Sequence, residues 1–195
     1  MIVLEFKVKG KLEQFEAIDE AIRAAQFIRN KALRFWMDNH GVGKNDLQKL
    51  CAKLAKEFQF ADELNSQARQ ASAERAWSAI SRFYENCKAK IPGKKGYPQF
   101  KHNSRSVEYK TSGWKLDSSR RYITFSDAKN IGSLKLVGTR DFNFYQINQI
   151  RRVRLVRRAD GYYCQFLVAI DVVETVEPAQ QAVGLDVGLN FFYTD

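Results

Sequence analysis

The stretch Ile91-Pro92-Gly93-Lys94-Lys95-Gly96-Tyr97-Pro98 decides how the chain folds, because the character of the sequence changes across it. Proline lacks a backbone N–H and glycine favours turns, so together they end a helix. Before this stretch, apolar residues recur every three or four positions, and after it the sequence becomes typical of β-strands. The sequence therefore predicts an α+β protein in which the helices precede most of the strands.

Three helices are predicted on the N-terminal side. They run from about Leu12 to Met37, Asp46 to Phe58 and Asn65 to Lys90, each with one apolar stripe. Either Asn65 or Ser66 can cap the third helix, because both side chains accept a hydrogen bond from a backbone N–H in the first turn. Together the helices should form a compact three-helix unit.

The predicted strands lie on both sides of that unit. The first is Met1–Lys9; the later candidates are Ser106–Tyr109, Tyr122–Ser126, Ser133–Val137, Ile150–Arg157 and Tyr162–Val172, with a hairpin turn at Ala159-Asp160-Gly161. Because the first strand has no neighbour before the helices, it should pair with the later strands. We therefore expect residues 1–10 and 91–177 to form a β-barrel into which residues 11–90 are inserted.

The overall charge indicates a polyanionic partner. The 195 residues include 32 Lys and Arg against 22 Asp and Glu, a net charge of +10, which favours a nucleic acid or an acidic membrane surface. No stretch reaches the ~18 apolar residues of a membrane span. Cys51, Cys87 and Cys164 lack CxxC spacing, so we expect reduced core thiols in a cytosolic protein and no zinc site.

Two basic clusters favour nucleic acid over membrane. The first lies between Lys88 and Arg121 and interleaves cations with aromatic residues; its candidate binding residues are Lys94, Lys95, Lys101, Arg105, Lys110 and Trp114. The second is a strand on which Arg152, Arg154 and Arg158 should share one face. Cations neutralise phosphates and aromatic rings stack on unpaired bases. A solvated polar face remains the alternative, and a membrane surface is weaker because no single amphipathic helix carries the charge.

The last residues carry a lone acid in an apolar run, Gly184-Leu185-Asp186-Val187-Gly188. Burial of a single carboxylate is unfavourable, so such an acid usually meets a cation or a metal ion. A strand-end aspartate bonded to backbone amides is the alternative. Since the sequence stops at Asp195 before a partner acid, we expect residues 178–195 to be a linker and the opening strand of an incomplete metal site.

Four segments, in order and spacing, resemble the TnpB family of transposon-encoded RNA-guided DNA endonucleases, which are related to type V CRISPR effectors. These segments are Gln26–Leu33, Asn65–Gln70, Gly96–Lys101 and Gly184–Leu189. The resemblance implies a wedge-like β-barrel, an inserted helical recognition unit and the first strand of an RNase H-like RuvC nuclease domain. In that family, the barrel and helices hold a guide (omega) RNA and read a short motif on double-stranded target DNA, and RuvC cuts with Mg²⁺.

The resemblance also assigns roles by position. Asp186 matches the first metal-binding carboxylate, and Ser66, Gln67 and Gln70 fall on the motif-reading helix. Glutamine can bond the N6 and N7 edge of adenine, although helix capping and solvated glutamines remain open alternatives. Thr111 and Ser112 match a segment that also touches DNA.

The chain departs from the family in one respect. The second and third RuvC acids and the CxxC zinc module do not occur before Asp195. We therefore expect the recognition portion of an endonuclease, inactive alone and without tightly bound Mg²⁺, with the missing acids supplied by a second polypeptide or a longer parent. It would act in the prokaryotic cytoplasm, at the nucleoid. The alternatives are a nuclease-dead regulator that binds DNA without a guide and a general RNA-binding scaffold.

Overall fold

The computed structural model describes residues 1–170, which contain four helices and seven strands. The helices are α1 Leu12–Asp38, α2 Lys44–Glu57, α3 Gln59–Asp62 and α4 Ser66–Lys88. The strands are β1 Ile2–Lys9, β2 Ser106–Tyr109, β3 Trp114–Leu116, β4 Tyr122–Phe125, β5 Gly132–Val137, β6 Ile150–Arg158 and β7 Gly161–Val168. Short 3₁₀ turns lie at Phe142–Phe144 and Ile147–Gln149.

The sequence predictions of the long elements are confirmed to within a few residues. Three long helices and six predicted strands are present, and the hairpin between β6 and β7 pairs Arg158 with Gly161. Two short elements were missed, the single-turn helix α3 and the three-residue strand β3. Neither is long enough to show a periodic pattern.

All seven strands form one antiparallel sheet in the order β2-β6-β7-β1-β5-β4-β3. Strand β1 lies at its centre, where Phe6 is opposite Cys164 of β7 and Val8 is opposite Leu136 of β5. The prediction that the first strand pairs with later strands is therefore confirmed. The four helices come between β1 and β2 along the chain.

The connection between β2 and β3 shows why the sheet curls. These strands are the two edges of the sheet. If the sheet were flat, the six strand spacings between them would separate them by ~29 Å. Only residues 110–113 join them, and the chain from Tyr109 to Trp114 reaches ~17 Å at most. The sheet is accordingly a half-barrel. Within residues 1–170, β2 and β3 do not pair with each other, so the closed barrel expected from the sequence is not formed by this part of the chain.

The core fills the concave side of the half-barrel. Alternate residues of the strands point inward, and an aromatic cluster occupies the centre, where Phe166 contacts Phe6, Trp114 and Phe142 at ring-centroid distances of 5.8, 6.4 and 4.6 Å. The first turns of α1 are fixed to the sheet because Phe15 stacks on Tyr162 with centroids 4.7 Å apart. The core therefore continues from the sheet into the helices.

Several predictions fall on the remainder of the chain. Asp186 and the strand and linker predicted for residues 178–195 lie outside the described residues, as do the last two positions of the predicted strand Tyr162–Val172. Within residues 1–170, no helix combines the length and apolar character that crossing a membrane requires.

Candidate nucleic-acid interface

An irregular segment, residues 97–105, lies against both α1 and α4, and we call it the strap. At its start, the Tyr97 ring packs on Trp36 of α1 and Phe83 of α4, with centroid distances of 5.8 and 5.2 Å. At its end, where β2 begins, the Arg75 guanidinium of α4 donates to the hydroxyl of Ser106 at 3.3 Å. The strap thus connects the helical part of the molecule to the edge strand β2.

Three side chains of α1 hold the strap by its main chain, and the first of them is Arg29, whose guanidinium donates to the Gln99 carbonyl at 3.2 Å. The Asn30 amide donates to the Lys101 carbonyl at 2.7 Å and accepts from the Lys101 backbone N–H at 2.9 Å. The Gln26 side chain accepts from the Ser104 N–H at 2.7 Å. These bonds satisfy backbone groups that have no partner strand or helix, so the position of the irregular segment is fixed.

A cavity of about 530 Å³ opens between the strap, α1 and α4, and we call it the groove cavity. Five cationic side chains line it, and the lining residues include no Asp or Glu: Arg29, Arg75, Arg82, Lys101 and Arg105. None of the five forms an ion pair with a carboxylate of residues 1–170. Burial lowers the pKa of Arg29, and the nearby charge of Arg75 lowers it further. The groove cavity therefore concentrates positive charge, which the nearby Glu108 carboxylate offsets in part at Arg75.

The arginine row of β6 has a different environment. Val153 and Leu155 are buried on the inner face, as the sequence predicted, but the outer face is neutralised. Arg152 forms ion pairs with Glu74 at 2.9 Å and with Glu108 at 2.6 Å. Arg154 pairs with Glu108 at 2.7 Å, and Arg158 pairs with Glu5 at 2.6 Å. These three arginines therefore offer less free charge to a phosphate backbone than their sequence pattern indicated.

Glu74 of α4 is the centre of this ion-pair network. It also binds Lys110 at 2.7 Å and Lys44 at 3.5 Å. Desolvation, the largest single influence, raises the pKa of Glu74, but the hydrogen bonds from Lys110 and Arg152 outweigh it and lower that pKa to about 2. The network fixes α4 to the outer face of β2 and β6 at neutral pH.

Asn65, rather than Ser66, caps α4. Its side-chain oxygen accepts from the Gln67 N–H at 2.8 Å, and its amide donates to the Ser126 carbonyl at 2.9 Å. The Asp127 carboxylate accepts from the Asn65 backbone N–H at 2.6 Å. The start of α4 is therefore docked on the loop between β4 and β5, and the Ser66 side chain remains exposed.

The loop between β2 and β3 lies beside the first turns of α4. The Lys110 ammonium donates to the Gln70 side chain at 3.4 Å. A Cβ atom on Gly113 would stand 3.1 Å from the Asn65 side-chain oxygen, which shows how closely the loop approaches. The fold thus brings one set of sequence candidates to the same end of the molecule: Ser66, Gln67, Gln70, Lys110, Thr111 and Ser112.

The remaining candidates are distributed differently. Lys101 and Arg105 line the groove cavity. Lys94 and Lys95 precede the strap in the chain and do not line the groove cavity. Trp114 is buried in the half-barrel, and its indole N–H has no hydrogen-bond partner within the described part of the chain. Stacking of Trp114 on a base would require its ring to leave the core.

Metal ligands and reactive thiols are not gathered in this region. Among residues 1–170, no group of three or more His, Cys, Asp or Glu side chains is placed to hold a metal ion. Cys51 and Cys164 are buried free thiols, and desolvation raises the pKa of Cys51 to about 11. Cys87 is exposed, which corrects the expectation that all three cysteines belong to the core.

Sequence reasoning did not single out Arg29, Arg75 and Arg82. They lie on two helices far apart in the chain and share a cavity only after α1 and α4 pack together. One signal was present, because positions 75 and 82 are seven residues apart and so share a helix face.

Comparisons with known proteins add no assignment. No protein-family model matches the chain, and no curated protein matches it.

Proposed function

We propose that this chain binds nucleic acid and that the groove cavity holds part of the sugar–phosphate backbone. The observation that carries the proposal is the gathering of five cations with no carboxylate among the lining residues. Phosphate oxygens would replace the missing counter-charges, and guanidinium groups suit them because they donate in pairs. The exposed Asn103 side chain, also on the cavity wall, can donate further hydrogen bonds, whereas the Ser78 hydroxyl already donates to the Glu74 carbonyl at 2.9 Å.

The more specific proposal is that the chain is the guide-RNA-binding and target-DNA-recognition portion of a TnpB-like endonuclease. Its support is the resemblance itself, together with the contact between two of the resembling segments, where Asn30 binds the main chain of Lys101. On this proposal Asp186 is the first carboxylate of a RuvC site. Cleavage would depend on further acids that the sequence up to Asp195 does not contain.

One observation favours a second candidate, a DNA-binding regulator that needs no guide. Exposed or half-exposed polar side chains gather at the start of α4, including Gln67, Gln70 and Thr111. Such side chains can read base edges in a major groove directly. A gel shift on duplex DNA without RNA separates the candidates, because only the regulator should show a sequence preference there.

The test of nucleic-acid binding compares neutral substitutions inside and outside the groove cavity. Arg29→Gln and Arg82→Gln each remove one lining charge, and Arg34→Gln is the matched control because Arg34 is exposed on α1 and pairs with Asp38. Anisotropy of a labelled RNA should show several-fold weaker binding for both cavity variants. A plot of the logarithm of the binding constant against the logarithm of the salt concentration has a slope, here called the salt slope. Each lost phosphate contact should reduce the magnitude of this slope by ~0.7 for single-stranded RNA. Equal behaviour of all three variants would contradict the proposal.

The guide assignment needs its own comparison. An RNA copied from the flanking transposon end should bind the purified chain more tightly than an unrelated RNA of equal length. If both RNAs bind equally while the cavity variants still weaken binding, the chain is a general RNA-binding scaffold and the guide assignment fails.

A further inference from the structure

A second cationic cavity lies on β1, β5 and the loop that follows β5, and we call it the sheet cavity. Its volume is about 450 Å³. Five cationic side chains line it: Lys9, Arg120, Arg121, Lys135 and Arg140. No sequence argument singled out this set, because its members come from four separate parts of the chain.

The sheet places two of these cations directly opposite each other. Lys9 of β1 is the register partner of Lys135 of β5, and both side chains are exposed on the outer face. Directly opposed side chains have Cβ atoms ~5 Å apart, and like charges there are destabilising. Neither lysine forms an ion pair with a carboxylate of residues 1–170. An anion between them would remove this repulsion.

Other exposed cations of the same sheet do have counter-charges. Lys7 pairs with Asp160 at 3.4 Å. Arg158 pairs with Glu5 at 2.6 Å, and Arg157 pairs with Asp19 at 3.0 Å. The cations of the sheet cavity differ from these three in having no ion pair within residues 1–170, a property that they share with Lys115 of β3 and Arg151 of β6. The one lining acid, Asp141, accepts a hydrogen bond from the Asn143 N–H at 2.8 Å and caps a turn.

The cavity wall is fixed before any ligand arrives. The Arg120 guanidinium donates to the carbonyls of Phe142, at 2.8 Å, and Tyr145. Gly138 allows the chain to pass over the Phe6 ring, since a Cβ atom at position 138 would stand 2.7 Å from Phe6 Cδ1. These contacts hold the loop of residues 138–143 in place, which reduces the ordering that binding would otherwise require.

An aromatic ring extends the row of cations. Tyr122 of β4 is the register partner of Lys135, so Lys9, Lys135 and Tyr122 stand side by side on three adjacent strands. The Tyr122 side chain is exposed. A ring beside unpaired cations offers a stacking face next to phosphate-binding groups, the combination that suits unpaired nucleotides.

We infer that the sheet cavity is a second nucleic-acid site, which binds the phosphate backbone of an unpaired strand and stacks a base on Tyr122. The inference rests on the proposed function for the class of ligand, but it concerns a different surface. The walls of the two cavities are joined across the sheet by a row of residues that pair with one another on neighbouring strands. In order, the row is Ser106, Val156, Tyr163, Lys7 and Val137. Four strand spacings along this row correspond to ~19 Å, so the two cavities engage separate parts of a ligand.

The experiment combines Lys135→Gln with Arg140→Gln. The matched control combines Lys49→Gln with Lys53→Gln, which removes the same charge from exposed positions of α2. Anisotropy of a labelled single-stranded oligonucleotide should show several-fold weaker binding and a smaller salt slope for the sheet variant than for the control. Without ligand, the sheet variant should unfold at the same or a higher temperature, because the repulsion between Lys9 and Lys135 is removed.

The outcomes separate this inference from the proposed function. If the sheet variant binds like its control while Arg29→Gln and Arg82→Gln weaken binding, the inference fails and the proposed function stands. If neither set weakens binding, the proposed function fails. Inorganic phosphate is a further probe: protection of the wild-type protein against heat by phosphate as strongly as by the oligonucleotide would identify a free-anion site and overturn the inference.

Discussion

At the scale of single residues, the carboxylates determine which cations are available to a ligand. Arg152 and Arg154 were expected to bind phosphate, yet Glu74 and Glu108 neutralise them. The sequence predicts that the region is basic, but not which charges are paired. Glu74 is 78 positions from Arg152, and they meet only because α4 packs against β2, the strand that pairs with β6.

Glu74→Gln tests this ion-pair network through its pH dependence. The folded pKa of about 2 lies below the ordinary value of 4.5, so the stabilisation is complete above pH 4.5 and disappears as the pH falls through about 2. At pH 7 the variant should lose on the order of 3 kcal/mol of unfolding free energy. Thermal unfolding from pH 7 to pH 2 should show the difference from wild type shrinking with acidity.

Glu57→Gln provides the control for that measurement, because Glu57 is exposed and forms no ion pair with a described residue. It should unfold like the wild type throughout. A Glu74→Gln penalty that stays constant from pH 7 to pH 2 would show that the carboxylate charge is not what stabilises the network.

At the scale of elements, the start of α4 depends on one side chain. Asn65→Ala removes the cap and the bond to the Ser126 carbonyl, and should lower the unfolding free energy by about 1–2 kcal/mol. Ser66→Ala, its neighbour and control, should change it by less than ~0.5 kcal/mol because its side chain is exposed. Urea unfolding measures both, and equal losses would refute the assignment of the cap.

The sequence predicts elements in proportion to their length. The periodic stripe of α1 and the alternation in β6 extend over many residues, whereas α3 and β3 contain four and three residues. The strap carries no periodic pattern at all, because its position depends on Asn30 and Gln26, side chains that lie more than 70 positions away in the chain. Hence Lys101 and Arg105 could be nominated from sequence as cations, but not as neighbours of Arg29.

At the scale of the whole molecule, the two cavities should act on different parts of one ligand. Arg82→Gln combined with the pair Lys135→Gln and Arg140→Gln should weaken binding of a long RNA by the product of the separate factors, since distant sites add in free energy. An oligonucleotide too short to reach both cavities should respond to only one set. A length series of labelled oligonucleotides checks this, and a short ligand sensitive to both sets would contradict it.

The attachment of the strap has a consequence for how binding preference could change. Because α1 holds its main chain through Asn30 and Gln26, the exposed side chains at Lys101, Asn103 and Arg105 contribute little to keeping the segment in place. Substitutions at these three positions can therefore change which ligand the protein prefers while the fold of the strap and helices is retained. A library randomised at the three positions should retain folded members that differ widely in the nucleic acids they select.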